Sequence, residues 1–370
     1  MLINNNRGNI CCIADSNYQL LNILSVIYHQ INVNNNDIDL YVYANIIERN
    51  ELLFKKIKDI WGIKNVYKIF VKDDHSIGQI FRRFFNPNQY VIERTDNTLF
   101  RNGMYDGIYL AVPNHFSLSI VLCNQKAGVN YYEDGTASYF LDLIKWEYPL
   151  YQRVLYFLVG NHLKKAYPNK IYLNNVKMYI GGMSNNVCQN LLIDENDICY
   201  KNMIKAIFPI DVHKYLDKKT IYFTQPLYTI KGYNSKVKTL LDDVENHIFS
   251  MNRLILRIHP LDKSDYNLPE NSLDRESGSW EIVCEEAVSN NSVLVGYYST
   301  AQFTPTLLFK KEPYILFLYK LLPELYNGYK LVQMEKTVSL LESQYKDKRK
   351  IMIPKSMEEM IDMMDGIDND

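Results

Sequence analysis

At 370 residues, the chain has room for two or three domains of about 150 residues each. Its 47% hydrophobic and 22% charged content suits ordinary globular cores rather than a disordered or fibrous chain. A total of 41 Lys and Arg against 42 Asp and Glu gives a formal net charge of -1, which argues against a chain that coats nucleic acid, because such binding rests on neutralising many phosphates.

In chain order, Asn9–Ala14 reads as a buried strand, and Asp15-Ser16-Asn17 supplies a turn and an N-cap. Tyr18–Gln30 follows with Leu20, Leu21, Leu24, Ile27 and Tyr28 at helical spacing. Asp39–Ala44, Val66–Val71, Gly107–Ala111 and Val129–Tyr132 read as further strands, with Asn50–Trp61 and Asn114–Cys123 as helices between them. The stretch Tyr167–Asp217 is mixed and Asn-rich, with Gly181-Gly182 in its middle. From about Lys218 the pattern restarts, with strands at Thr220–Thr224, Leu254–Ile258, Ser292–Tyr297 and Tyr314–Leu318 and helices at Ser235–Ser250 and Thr300–Leu308. In the tail, Ser356-Met357-Glu358-Glu359 matches a capping box ahead of an apolar face of Met357, Met360, Ile361 and Met364. Alternating strand and helix predicts an α/β protein of two doubly wound halves, 1–215 and 216–370, with a cleft between them.

Compartment follows from the cysteines. The six, at 11, 12, 123, 188, 199 and 284, form no CxxC pair and no zinc spacing, so a reduced, cytoplasmic chain is expected. The first residues lack the pattern of a secretory signal, and no apolar run approaches about 18 residues. Thirty tyrosines can serve buried hydrogen bonds or carbohydrate stacking, and composition does not separate the two.

Three short motifs fall at predicted strand ends, where ligands of open α/β sheets bind. In Tyr131-Tyr132-Glu133-Asp134-Gly135-Thr136, adjacent carboxylates end a strand and Gly135 permits a sharp turn. A carboxylate there can take a proton from an attacking hydroxyl, worth about 10²–10⁴-fold; the plain alternative is an acidic turn capping the next helix. In Arg257-Ile258-His259-Pro260, alternation puts Arg257 and His259 on one face, suited to a phosphate; the alternative is a structural histidine. In Gly296-Tyr297-Tyr298-Ser299-Thr300, a helix start offers free N–H groups to an anion; the alternative is that Ser299 only caps. Their coincidence favours an enzyme that transfers a group from a nucleotide donor.

The ordered set resembles the bacterial sialyltransferases of glycosyltransferase family 52, with kinship to the polysialyltransferases. Glu133-Asp134-Gly135, His259-Pro260 and Ser299-Thr300 match its short motifs; Gln19-Leu20-Leu21-Asn22 and Thr224-Gln225-Pro226 match two softer ones. The resemblance spans residues 10 to about 310. It implies a GT-B fold, CMP-sialic acid as donor, and inversion in a single displacement. It also implies Asp134 or Glu133 as general base, with Asp134 preferred, and His259 assisting departure of CMP. Ser299 and Thr300 would hold the phosphate, with Arg257, Pro260 and Gln225 also on the donor side and Gly135, Thr136 and Gln19 on the acceptor side. Glu285, in Ile282-Val283-Cys284-Glu285, is the nearest match to the family's ribose-holding Glu, without the residues that normally precede it. No metal cofactor is expected, because a single phosphate leaves no pyrophosphate to clamp. The expected acceptor is a terminal galactose on a capsule or lipooligosaccharide glycan. Another nucleotide sugar, or a non-catalytic glycan- or nucleotide-binding role, is the alternative.

Three other stretches have their own readings. Asp37-Ile38-Asp39 imitates a DxD metal motif but sits at a strand entrance, and reads as solvated strand-edge acid. Phe81-Arg82-Arg83-Phe84-Phe85 and Trp146–Lys165 could touch an anionic membrane surface; core burial or a homodimer contact is the competing use of the second.

Overall fold

The computed structural model describes residues 7–44, 46, 51–70, 85–111, 113–139, 154, 168–180, 186–192, 197–208, 210–275, 278–326 and 328–368. Apart from Phe85 and Val154, the two stretches read as membrane-facing lie outside the described residues, as do Gly181 and Gly182. Among the described residues, no helix is long and apolar enough to cross a membrane.

The chain divides into two units, Met1–Ile207 and Phe208–Asp370, somewhat ahead of the junction expected from sequence. The segment after Ile207 already bonds within the second unit: the Tyr215 hydroxyl donates to Asp274, and Lys214 Nζ donates to the carbonyl of Leu273 at 3.0 Å.

In the first unit, seven parallel strands run β1 Gly8–Ala14, β2 Asn36–Tyr43, β3 Asn65–Ile69, β4 Gly107–Leu110, β5 Gly128–Tyr132, β6 Lys170–Leu173 and β7 Val187–Gln189, in the order β3-β2-β1-β4-β5-β6-β7. Among the described residues, the helices with full bounds are α1 Asn17–Gln30, α2 Glu51–Trp61, α3 Pro87–Ile92, α4 His115–Cys123 and α5 Ile198–Ile207. Cys11, Cys12 and Ala14 in β1 are fully buried, as a parallel strand covered on both faces requires. Helix α1 starts on Ser16, whose side chain accepts the Gln19 N–H at 3.2 Å. Its apolar residues Leu20, Leu21, Ile23, Leu24, Val26 and Ile27 point all round and are all fully buried, so both sides of the helix are covered.

Burial that complete strands the polar side chains of α1 unless they find partners. Asn22 Oδ1 accepts from Asn174 and Asn190, each at 3.0 Å, and Ser25 Oγ donates to Asn190 Oδ1 at 2.8 Å. The Asn-rich stretch that reads as mixed in sequence thus contains β6 and β7, and its asparagines serve a helix about 150 residues earlier in the chain.

Strand β2 begins at Asn36, before its expected start, which changes the reading of Asp37-Ile38-Asp39. Asp37 stays at the surface, ion-paired with Lys64 at 2.5 Å and Arg7 at 3.4 Å. Asp39 is not solvated. It is buried inside the strand and accepts from Tyr105 Oη and Asn65 Nδ2, both at 2.9 Å. Among the described residues, no group of three His, Cys, Asp or Glu side chains could hold a metal ion.

In the second unit, six parallel strands are β8 Thr220–Phe223, β9 Leu254–Arg257, β10 Leu273–Asp274, β11 Val293–Gly296, β12 Tyr314–Phe317 and β13 Ile351–Met352, in the order β10-β9-β8-β11-β12-β13. The helices are α6 Ser235–Phe249, α7 Trp280–Ala287, α8 Thr300–Phe309, α9 Gly328–Glu342 and α10 Met357–Asp368. The tail cap is half of the expected box. Ser356 Oγ accepts the Glu359 N–H at 3.1 Å, but the Glu359 carboxylate reaches back to the N–H of Lys355 at 2.7 Å. Met360 and Met364 are buried, as their spacing implies. All six cysteines are free thiols.

Tyrosine is mainly a core residue here. Most of the largest fully buried side chains are tyrosines, among them Tyr41, Tyr132, Tyr139, Tyr222 and Tyr297. Many hydroxyls find partners, as in the chain from Asn97 Nδ2 to Tyr41 (2.6 Å), Tyr41 to Tyr105 (2.8 Å) and Tyr105 to Asp39.

Candidate active site

Because every strand of the first sheet is parallel, their carboxyl ends share one edge. The first residue past each of four strands is polar: Asp15 after β1, Glu133 after β5, Asn174 after β6 and Asn190 after β7. Strand order reverses between β1 and β4, so Asp15 and Asn114, the N-cap of α4, stand at the switch point where such sheets bind ligands.

The two adjacent carboxylates have opposite environments. Glu133 is fully buried. Its Oε1 accepts from the Tyr18 hydroxyl at 2.5 Å, and its Oε2 accepts from the Tyr139 hydroxyl at 2.5 Å and the Asn174 N–H at 2.8 Å. Burial still holds its pKa above the usual carboxylate range against those donors. Asp134 is only half-buried. Its Oδ1 accepts from Gln19 Nε2 at 2.5 Å, and its backbone N–H donates to Ser138 Oγ at 2.9 Å. Burial is the main cause that pushes its pKa up to about 6, the Gln19 bond opposes it, and the charge of Asp15 adds to it.

Gln19 links these groups: its Oε1 accepts the Asp15 N–H at 2.9 Å, which turns its amide nitrogen toward Asp134. Asp15 is itself raised by burial, opposed by a 3.5 Å bond from Asn114. Gly135 has φ of 121°, a conformation that side chains with Cβ rarely adopt, and it lets Thr136–Tyr139 turn back so that Tyr139 reaches Glu133. Thr136 is buried in that turn.

In the second unit, β9 delivers His259 just past its carboxyl end, with Pro260 exposed in the turn. The backbone N–H of His259 donates to Thr224 Oγ1 at 3.0 Å, and its Nδ1 accepts the Leu261 N–H at 3.1 Å. An accepting Nδ1 puts the imidazole proton on Nε2. Burial lowers the His259 pKa, and the charge of Asp262 partly restores it. Neutral His259 therefore presents an Nε2–H donor.

Ser299 caps α8 with a complete capping box: its Oγ accepts the Ala301 N–H at 3.3 Å, while Gln302 Oε1 accepts the Ser299 N–H at 3.0 Å. The Ser299 hydroxyl proton is not consumed by that role. It and the first-turn amide of Thr300 are groups that a helix N-terminus offers to a phosphate. Gln225 ties the β8 and β11 loops through both amide atoms, donating to the Tyr298 carbonyl at 2.6 Å and accepting the Tyr298 N–H at 3.3 Å. With Pro226, Leu227, Ile230 and Tyr298 it lines a cavity of about 160 Å³.

Two residues read as donor-binding are placed otherwise. Arg257 donates to Asp274, which is fully buried, and to the Gly278 carbonyl, so its guanidinium neutralises an internal acid. Removing one partner of such a pair costs about 3–5 kcal/mol because the other charge stays buried without its counter-ion. Arg257→Ala should lose stability on that scale in urea unfolding, and a change within 0.5 kcal/mol (about the noise of an exposed substitution) would contradict the pairing. Glu285 stands in the last turn of α7, where Lys311 Nζ binds its backbone carbonyl and that of Val288. Lys311 precedes β12, so Glu285 lies toward the amino edge of the sheet. The acid at the carboxyl edge is Glu281, in the first turn of α7, which accepts from Ser279 Oγ.

Sequence reasoning brings together Glu133, Asp134, Gly135, Thr136 and Gln19 in one unit, and His259, Gln225, Ser299 and Thr300 at one sheet edge of the other. It misses Tyr18, Tyr139 and Asn174 around Glu133, Asp15 and Asn114 at the switch point, Glu281, and Asp262 behind His259. The polar position just past a strand could have signalled Asn174 and Asp15, whereas Tyr18 lies inside α1 and Tyr139 at the end of the turn after Gly135.

No family profile and no curated protein matches this chain. Solved structures do. The glycotransferase of kitacinnamycin has a TM-score of 0.53 at 10% identity, covering 99% of this chain and 91% of that chain. The spinosyn forosaminyltransferase SpnP has a TM-score of 0.52 at 11% identity, with 97% and 91% covered. A sialyltransferase from Photobacterium damsela has a TM-score of 0.47 at 13% identity, with 94% and 81% covered. The likeness to the first two is one of fold. Two parallel-sheet Rossmann-like domains make this a GT-B fold.

Proposed function

We propose that this chain is an inverting glycosyltransferase that moves sialic acid from CMP-sialic acid to a terminal galactose-type hydroxyl of a bacterial surface glycan. The observation that carries the reading is Asp134: a half-buried carboxylate past β5, raised to about 6, beside a second carboxylate whose oxygens are already occupied. A base with that pKa is largely ionised at neutral pH yet keeps its affinity for a proton.

In this reading the acceptor oxygen attacks the anomeric carbon and gives its proton to Asp134. The bond from that carbon to the phosphate oxygen breaks, and CMP leaves with the electron pair. Nε2–H of His259 hydrogen-bonds the leaving phosphate, with the Ser299 hydroxyl and the Thr300 amide as further donors. The sugar carries oxocarbenium character at that moment, by analogy with glycoside hydrolysis. Glu281 replaces Glu285 as the acid proposed to hold the ribose hydroxyls. A single phosphate needs no metal clamp, and none is assigned. The order and strand-end placement of the three motifs support the sialyl donor over others.

The donor screen tests this. CMP at 100 times its dissociation constant should stabilise the chain by about 2.7 kcal/mol, read as a thermal shift, with UDP and GDP giving less. Release of CMP from CMP-sialic acid in the presence of lactose should follow. Stabilisation by UDP alone would assign another nucleotide sugar, and binding of CMP without turnover would assign a binding protein.

A further inference from the structure

His259 sits on a turn held at both its backbone atoms. Its carbonyl accepts the Asp262 N–H at 2.8 Å, and its N–H donates to the Thr224 hydroxyl oxygen. The first closure is backbone to backbone, and the residue that makes it, Asp262, carries a buried carboxylate beside Thr224. Asp262 and Thr224 are buried, and the Asp262 side chain accepts from the Ser264 N–H at 3.0 Å and the Tyr266 hydroxyl at 2.6 Å. The Thr224 hydroxyl, which accepts from His259, also neighbours the Asp262 carboxylate and helps to hold its pKa down. From the neighbouring turn, the Tyr228 hydroxyl donates to the Leu261 carbonyl at 3.3 Å and accepts the Lys263 N–H at 3.3 Å.

We propose that Asp262 and Thr224 are positioning residues that hold the His259 turn so that Nδ1 must accept and Nε2 must donate. Thr224 fixes the peptide before His259, the backbone N–H of Asp262 fixes the one after it while its carboxylate anchors the turn to Ser264 and Tyr266, and the intervening geometry brings the Leu261 N–H onto Nδ1. An imidazole so held cannot offer Nδ1–H to a ligand, and its Nε2–H points away from the turn. A carboxylate at this position is costly to bury; burial pushes its pKa up, but the hydrogen bonds from Tyr266, Thr224 and Ser264 outweigh that and keep it ionised. Glu245 on α6, raised to about 7 by burial with the charge of Asp262 adding to it, faces the same carboxylate and accepts from the Tyr222 hydroxyl at 3.0 Å. The role of Nε2–H as a phosphate donor rests on the function proposed above; the tautomer does not.

The test uses imidazole nitrogen NMR on the full chain without ligand, with the His259 signals assigned by their loss in His259→Gln. Wild type and Thr224→Ser should show only the Nε2–H tautomer of neutral His259. Thr224→Val and Asp262→Asn should show a mixture of both tautomers, and should weaken CMP binding on the order of 10–100-fold, the scale on which removing a partner that orients a metal-ligating histidine acts. If Asp262→Asn does not fold, the contrast between Thr224→Val and Thr224→Ser decides alone. A wild-type Nδ1–H tautomer, or an unchanged pattern in Thr224→Val, overturns the proposal. Should the tautomer pattern hold in a chain that binds no CMP, the positioning stands and the donor assignment falls.

Discussion

Asp134→Asn is expected to lower transfer by about 10²–10⁴-fold while making the protein more stable at neutral pH. Both effects come from one environment. Burial raises the Asp134 pKa from 3.8 to about 6, so the folded state binds this proton more tightly than the unfolded chain does. Stability therefore falls as pH rises from about 4 to 6, and the ionised carboxylate is a net cost above that range. The full shift corresponds to about 3 kcal/mol, and partial exposure reduces the expected gain to about 1–2 kcal/mol. Asparagine keeps an oxygen for Gln19 Nε2 and removes the charge. Urea unfolding at pH 7.5 and pH 4.5 (roughly either side of the two pKa values) should show the gain only at the higher pH. A destabilised variant, or full retention of activity, would contradict the assignment.

The neighbouring carboxylate predicts the opposite pairing of effects. Glu133→Gln replaces a group that accepts from Tyr18, Tyr139 and Asn174 with an amide that has one acceptor oxygen. The Tyr18 hydroxyl already accepts from Asn174 Nδ2 at 3.0 Å, and that of Tyr139 accepts the Asn175 N–H at 3.2 Å. A stranded buried donor costs about 1–3 kcal/mol, so a loss of about 2–4 kcal/mol is expected. Activity per folded molecule should fall far less than in Asp134→Asn. Unchanged melting with a rate loss of 10²-fold or more would instead make Glu133 the base.

How much of this could be read from sequence follows from what each signal depends on. Strands β1, β2, β4, β5, β8, β9, β11 and β12 are dense apolar runs because parallel strands are buried on both faces, and each is legible within a few residues. Strands β6 and β7 are short and carry polar residues at their ends, so no periodicity marks them. The motif around Glu133 is visible, but the division of labour within it is not, because Tyr18 and Asn174 are 115 and 41 residues away from Glu133. Alternation predicts that Arg257 and His259 share one face, but β9 ends at Arg257, and the partner that claims Arg257 is Asp274, on a two-residue strand that leaves no pattern. Glu285 and Glu281 differ by one helical turn, and only the direction of α7 against the sheet tells which end is which.

The pH dependence of kcat/KM for CMP release from CMP-sialic acid, with lactose as acceptor, tests the central claim most directly. The account expects rates to rise about tenfold per pH unit below an apparent pKa near 6 and to level off above it, with that limb absent from the residual activity of Asp134→Asn. A wild-type profile flat between pH 5 and 8 (the window in which a group near 6 must titrate), or an acid limb that persists in Asp134→Asn, would contradict it.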